Sequence, residues 1–298
     1  MSLILVRKLL RDTRAGLIAV CVLLAAFEFL WCKVTQQSVH FMRELENQLP
    51  GQSLTERIQT VLFQRESGKM IQKLIGGENV NLGIGLDSLT VGYVHPLVLS
   101  LLCVWAIGRA AGAVAGELDK GTMELLLAQP IARWRVMASH FVLDLLTIPL
   151  LCVSMWAGTA IGIFVHDLAA LTADQPGAIE PLKFAWAMPS VAALLFAVSG
   201  YTMLLSSASR SRTRVLGVAV LLTLIQFLIN LLGQVWTGIE WLRPFTVFYY
   251  YQPQPILLDV AGAQRQLAGN VATLAAVGSA GYVAALAIFC RRDLPAPL

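Results

Sequence analysis

Residues 215–236 read VLGVAVLLTLIQFLINLLGQVW, and Arg210, Arg212 and Arg214 stand just before them. No charge interrupts the run. As a helix, its 22 residues reach about 33 Å, enough to cross a ~30 Å hydrocarbon core. Five similar stretches, at about 15–33, 89–110, 137–165, 185–208 and 269–290, bring the total to six. Composition agrees: of 298 residues, 57% are hydrophobic and 13% charged, with mean hydropathy +0.68. A soluble domain carries roughly 25% charged residues. A soluble enzyme, a nucleic-acid module and a disordered chain are excluded. The chain reads as an all-α integral membrane protein with six transmembrane helices. Pro149 inside the third predicts a kink.

The connections alternate in charge. Segments 1–14, 109–136, 209–214 and 291–298 carry 13 basic residues in about 56, Arg109 among them. Segments 34–88, 166–184 and 237–268 carry 8 in about 106. The positive-inside rule puts the first set, and both termini, in the cytoplasm of a cell (inner) membrane. The net charge of +4 is then mostly topological. The five cysteines lie in or beside apolar segments with no C-x-x-C pair, which suits small packing residues.

Two domains of unequal size follow. Residues 1–14 form an interfacial amphipathic helix, with Leu3, Val6 and Leu10 on one face and Arg7, Arg11 and Arg14 on the other. Residues 15–298 form the six-helix membrane body, its first span an uncleaved one. Within it, 34–88 is expected to be a helical extracytoplasmic loop. Ser53 to Glu56 make a capping box, and Met42, Leu45 and Leu49 suggest a shorter helix before Pro50.

The stretch at 111–136 carries the functional signal. Glu117, Asp119 and Lys120 leave the membrane, Gly121 permits a tight turn, and a short helix follows from Thr122 to Gln129. Pro130 ends it, and Arg133, Trp134 and Arg135 re-anchor the chain at the interface. Leu125, Leu126 and Leu127 are out of place in an aqueous loop. A short helix does not stand alone in water, so this face packs either on the chain's own spans or in a groove of a soluble partner.

Glu117 to Arg133, read as E-x-D-K-G-T-x-E-L-L-L-x-x-P-I-x-R with Glu117, Asp119, Gly121, Thr122, Glu124, Leu125, Leu126, Leu127, Pro130 and Arg133, resembles the signature of ABC-2 type transporter permeases. The likeness is to the branch with NosY-like and NatB-like transmembrane subunits. It implies one half of an ABCG-like, type V exporter, paired in the membrane with a second permease copy or paralogue. It also implies a separate ABC ATPase subunit on which Thr122–Gln129 sits as a coupling helix. ATP and Mg would bind that partner, with no cofactor on this chain. The sequence has no G-x-x-x-x-G-K-[ST] loop of its own.

Three further constellations stand out. Gly108, Gly112 and Gly116 form a small-xxx-small ladder, which suits a tight contact within the subunit or between subunits. Thr223, Gln226, Asn230 and Gln234 form one polar stripe on the fifth span. It suits a pathway or subunit interface, and equally ordinary interhelical hydrogen bonds. Glu28 and Asp144 are intramembrane acids, and His140 sits one turn before Asp144 as a possible partner. His95-Pro96 predicts a kink; Trp236, Trp241 and Tyr249 to Tyr251 suit an aromatic belt, and 243–260 suits a re-entrant dip.

No catalytic set and no metal set accompany these residues: H-E-x-x-H and G-x-S-x-G are absent. The expected function is a transport permease with no enzymatic activity of its own. A non-transporting membrane anchor or assembly factor is the alternative, and an intramembrane protease a remote one. Expected partners are the ATPase, a second permease and lipids, and not nucleic acid.

Overall fold

The computed structural model describes residues 3–48, 84–123, 132–175 and 177–292. All regular structure among them is helical. Six helices are long and apolar enough to cross a membrane. Span one is Leu3–Gln48, and span two is Gly85–Val94 followed by Pro96–Ala113. Span three is Arg133–Val165, running through Pro149 without a break in the helix. Span four is Met188–Ala208 behind a 3-10 turn at Pro181–Ala187. Spans five and six are Arg212–Val235 and Ala263–Arg291. Between them, short helical turns at Thr237–Phe245, Val247–Tyr249 and Gln254–Leu257 cover one end of the bundle.

Span one corrects two expectations. It is one helix of 46 residues, about 69 Å long, because no glycine or proline occurs from Leu17 to Leu49. Residues 3–14 are therefore no separate helix lying across the first span. They continue it, with Leu5 and Val6 buried at the end of the bundle. The residues around Met42 and Leu45 are helical, as the far end of span one rather than as a separate helix. The expected helix from Ser53 onward lies outside the described residues.

Packing pairs spans that are not neighbours in sequence. Span one lies along span three, where Gly158 meets the backbone of Ala25 and a Cβ at Gly162 would stand 2.6 Å from Cys32 Sγ. Span four lies along span six, where Gly200 faces the backbone of Gly278 and Gly281 faces that of Gly200. Both contacts need residues without side chains for backbones to approach so closely. Spans two and four share the main core, around Leu102, Ala106, Leu194 and Val198.

A second core closes the other end. Leu5, Met123, Val136, Met137 and Phe289 come together there. Arg133 Nη1 donates to the Arg292 carbonyl at 2.7 Å, and Arg292 Nη1 donates to the carbonyls of Ser207 and Ser209 at 2.9 Å each. Both ends of the described chain and the connections after spans two and four thus share one end of the bundle. These are the connections rich in arginine and lysine. Span five is the least enclosed: Leu221, Leu224, Leu228 and Leu232 are all exposed.

Candidate functional site

Span two leads straight into the functional stretch. Its helix ends at Ala113, and a short helix, Ala115–Asp119, follows after one irregular residue, Val114. Gly121 then turns with φ +69°, a left-handed conformation that suits glycine. Thr122 closes the turn by donating from Oγ1 to the Glu117 carboxylate at 2.5 Å and to its carbonyl at 3.2 Å. Met123 is fully buried in the second core. Asp119 and Lys120 are exposed. Glu124, Leu125, Leu126, Leu127 and Pro130 lie outside the described residues. The chain returns at Ala132, and Arg133 fixes the start of span three to the end of span six.

Among the described residues the glycine ladder makes no backbone-to-backbone approach to another helix. A Cβ at Gly108 would meet nothing within 4 Å, and at Gly112 and Gly116 it would meet only the Arg212 side chain and the ladder's own Ala111 carbonyl. The close contacts are made instead by Gly158 with Gly162 and by Gly200 with Gly278 and Gly281. Gly158 and Gly162 carry the same four-residue spacing, so spacing alone did not single out the face in use.

The polar stripe on span five is tied down within the chain. Tyr201 OH and Thr223 Oγ1 lie 2.5 Å apart, and Thr223 donates onward to the Ala219 carbonyl. Gln226 Oε1 accepts from the Val247 N–H at 3.1 Å, and Asn230 Oδ1 from Arg243 Nε at 3.5 Å. Arg243 in turn lies on Gly233. Gln234 continues the stripe toward the same cover. These residues join span five to span four and to the turns at 237–249. The aromatic residues nearby divide: Trp236 and Trp241 are exposed, whereas Tyr251 is buried and donates to the Tyr93 carbonyl at 2.7 Å.

Asp144 is the centre of a buried charged cluster. Its carboxylate pairs with Arg109 of span two and accepts from Tyr282 OH of span six. Arg109 also donates to Tyr282 OH at 3.0 Å. All three side chains are buried, with rings of Phe141 and Phe196 packed on Tyr282. The expected His140–Asp144 pair is not made. His140 is buried nearby, and its Nδ1 has no hydrogen-bond partner among the described residues. A guanidinium is always charged, and Arg109 Nη2, rather than His140, meets the Asp144 carboxylate.

Glu28 is arranged differently. It is buried among spans one, two and three, where Oε2 accepts from Thr159 Oγ1 at a long 3.4 Å. Thr159 Oγ1 also lies 2.8 Å from Tyr93 OH. Glu28 Oε1 has no hydrogen-bond partner among the described residues, and no ion pair to Glu28 occurs among them.

A family model described as ABC-2 family transporter protein matches residues 6–294 of this chain. The chain belongs to the ABC-2 transporter family. As such it is a multi-pass membrane component of an ABC transporter, distinct from the ATPase, and membership implies an ABC ATPase as its partner. No curated protein and no solved structure matches the chain. No group of three or more His, Cys, Asp or Glu that could hold a metal occurs among the described residues.

Within this ABC-2 transporter protein, several of the residues that organise the site were not evident from sequence. Arg109 reads as one of the interfacial basic charges, yet it is an inward-facing partner for Asp144. The available signal was an arginine inside an apolar helix and an aspartate inside another. Tyr282 gives no signal among the apolar residues of span six. Ser206 gave none either, and Tyr251 was read only as part of an aromatic belt, whereas it is buried against the Tyr93 carbonyl.

Proposed function

We propose that this chain is the membrane half of an ATP-driven exporter, with Thr122–Gln129 seated on a separate ABC ATPase and span two carrying the motion into the membrane. The observation that supports this reading is that the turn at 115–123 follows span two after a single irregular residue, Val114. The Glu117–Thr122 hydrogen bond ties that turn together, and buried Met123 holds it to the bundle. A push on the following residues therefore reaches the membrane helix through a closed turn rather than a slack loop. Glu117, Asp119, Thr122 and Glu124 supply polar contacts to the ATPase, and Leu125, Leu126 and Leu127 its apolar anchor. ATP and Mg bind the partner. The NosY-like and NatB-like resemblance favours outward transport.

In this reading the ends that carry Arg7, Arg133, Arg212 and Arg292 face the cytoplasm. A second permease copy covers the open side of Gly108 and Gly112 and the exposed apolar face of span five. ATP binding and hydrolysis then shift the pair between inward- and outward-open states.

The test is co-purification in mild detergent with the ABC ATPase encoded nearest this gene, comparing wild type with Leu126→Arg. Loss of the complex in the variant, with the membrane protein still folded, supports docking through this stretch. An unchanged complex moves the contact elsewhere. A well-folded wild type that recruits no ATPase favours a non-transporting anchor.

A further inference from the structure

Span two is broken twice, and each break is held by one side chain from another element. At the inner break, Val114 leaves the helical ladder with φ −111° and ψ −56°. The N–H groups of Val114 and Ala115 both donate to Ser206 Oγ of span four, at 3.2 and 3.1 Å, and Ser206 donates to the Ala111 carbonyl at 3.2 Å. A serine hydroxyl offers one donor and two acceptor sites, and all three are used here. Ser206 is fully buried, so no water competes for them.

At the outer break, Pro96 has no N–H, and His95 leaves the ladder with ψ 135°. The Tyr93 carbonyl is captured instead by Tyr251 OH at 2.7 Å, from the cover over the bundle. Tyr251 is buried, which pushes its phenol well above the usual tyrosine range and keeps it a donor. Between the breaks, Pro96–Ala113 is one regular helix, fixed to spans three and six through Arg109, Asp144 and Tyr282.

We propose that span two is a rigid segment with a hinge at each end, and that Ser206 and Tyr251 are the positioning residues that hold those hinges. Sharp bends in helices occur at prolines and where a side chain enters the ladder, and span two has one of each. At the inner break the Val114 and Ala115 N–H groups and the Ala111 carbonyl are all bonded to a single hydroxyl on span four. Rotation of the turn at 115–123 about Val114 therefore disturbs three hydrogen bonds, whereas bending the middle of the helix would break its own ladder. The outer hinge ties the other end of the same segment to the turns at 246–257. Span two thereby links the connection that carries Glu117 and Thr122 to the opposite end of the bundle. This deepens the coupling reading above and rests on it for its purpose, but the hinges can be tested with no ATPase present. Failure of the hinges and failure of coupling are then read in separate experiments.

The experiment is amide hydrogen exchange with residue-level readout on the full chain in lipid nanodiscs. Ser206→Ala is expected to speed exchange at Val114 and Ala115 at least tenfold, with Leu99 to Ile107 unchanged. The Leu97 N–H donates to His95 Nδ1 at 3.2 Å and the His95 N–H to the Gly92 carbonyl at 3.3 Å; releasing the Tyr93 carbonyl in Tyr251→Phe is expected to loosen this break and speed exchange at both, again sparing Leu99 to Ile107. Ser206→Thr keeps a hydroxyl and is expected to restore wild-type exchange at Val114 and Ala115. Exchange that stays at the wild-type rate in Ser206→Ala overturns the proposal. So does acceleration that spreads through Leu99 to Ile107, because span two would then loosen as one helix. Should Ser206→Ala fail to accumulate, Ser206→Cys replaces it, a similar volume with a weaker acceptor; wild-type rates at Val114 and Ala115 in that variant overturn the proposal equally.

Discussion

The two buried acids among the described residues of this membrane bundle meet opposite surroundings. Asp144 has a charged partner and a hydroxyl from two other spans, Arg109 and Tyr282. Glu28 has one long hydrogen bond from Thr159 and no ion pair among the described residues. Both came from sequence as the same kind of feature, a carboxylate inside an apolar helix. The difference shows that an acid in a span is defined by what the other helices bring to its depth. Asp144 helps to join three helices, while Glu28 sits in a pocket that tolerates it.

Three single substitutions, and one double variant as a control, sharpen that contrast, the singles in order of expected effect. Asp144→Ala leaves Arg109 buried without its partner, and breaking a buried pair costs about 3–5 kcal/mol. The loss is expected as a large drop in the temperature of half-unfolding in detergent. Replacing both partners, as Arg109→Met with Asp144→Leu, should recover most of it, since apolar side chains of similar volume often match a buried pair. If the double variant proved as unstable as the single one, the pair would not be the source of the cost. Tyr282→Phe removes one hydroxyl from the cluster and is expected to cost about 1–1.5 kcal/mol, measured in the same way. Glu28→Gln keeps the shape and a hydrogen-bonding group toward Thr159, so its change should stay within about 1 kcal/mol. A Glu28→Gln loss as large as that of Asp144→Ala would break the contrast and reveal a countercharge to Glu28.

The broad fold was legible because apolar run length is a direct physical requirement of crossing a bilayer. Six runs in the sequence became six helices, and the arginine-rich connections came together at one end. Boundaries were less legible where a helix outlives its membrane. Residues from 34 onward read as a loop, yet a helix without glycine or proline has no reason to stop there, and span one continues to Gln48. The turn at Gly121 was legible from one residue, since few others adopt its backbone angles. Contacts between helices were not. Gly108, Gly112 and Gly116 have the spacing of a contact face and leave open space or meet Arg212, while Gly158 and Gly162 make the contact. A single sequence carries the period of each helix but not its rotation about its axis or its depth relative to its neighbours. Arg109 and Asp144 needed both to be paired.

The pairing of span one with span three, and of span four with span six, also bears on how the protein is made. Neither pair is a hairpin of consecutive helices, so neither can close as it leaves the ribosome. Span one must wait in lipid until Gly158 and Gly162 have been synthesised, and span four until Gly278 and Gly281 have. Insertion and docking are thereby separate events. A bulky residue at Gly162 or Gly200 would leave every helix inserted with its correct orientation while the bundle failed to assemble. Such a defect would be invisible to any assay that reports only which loops face which side.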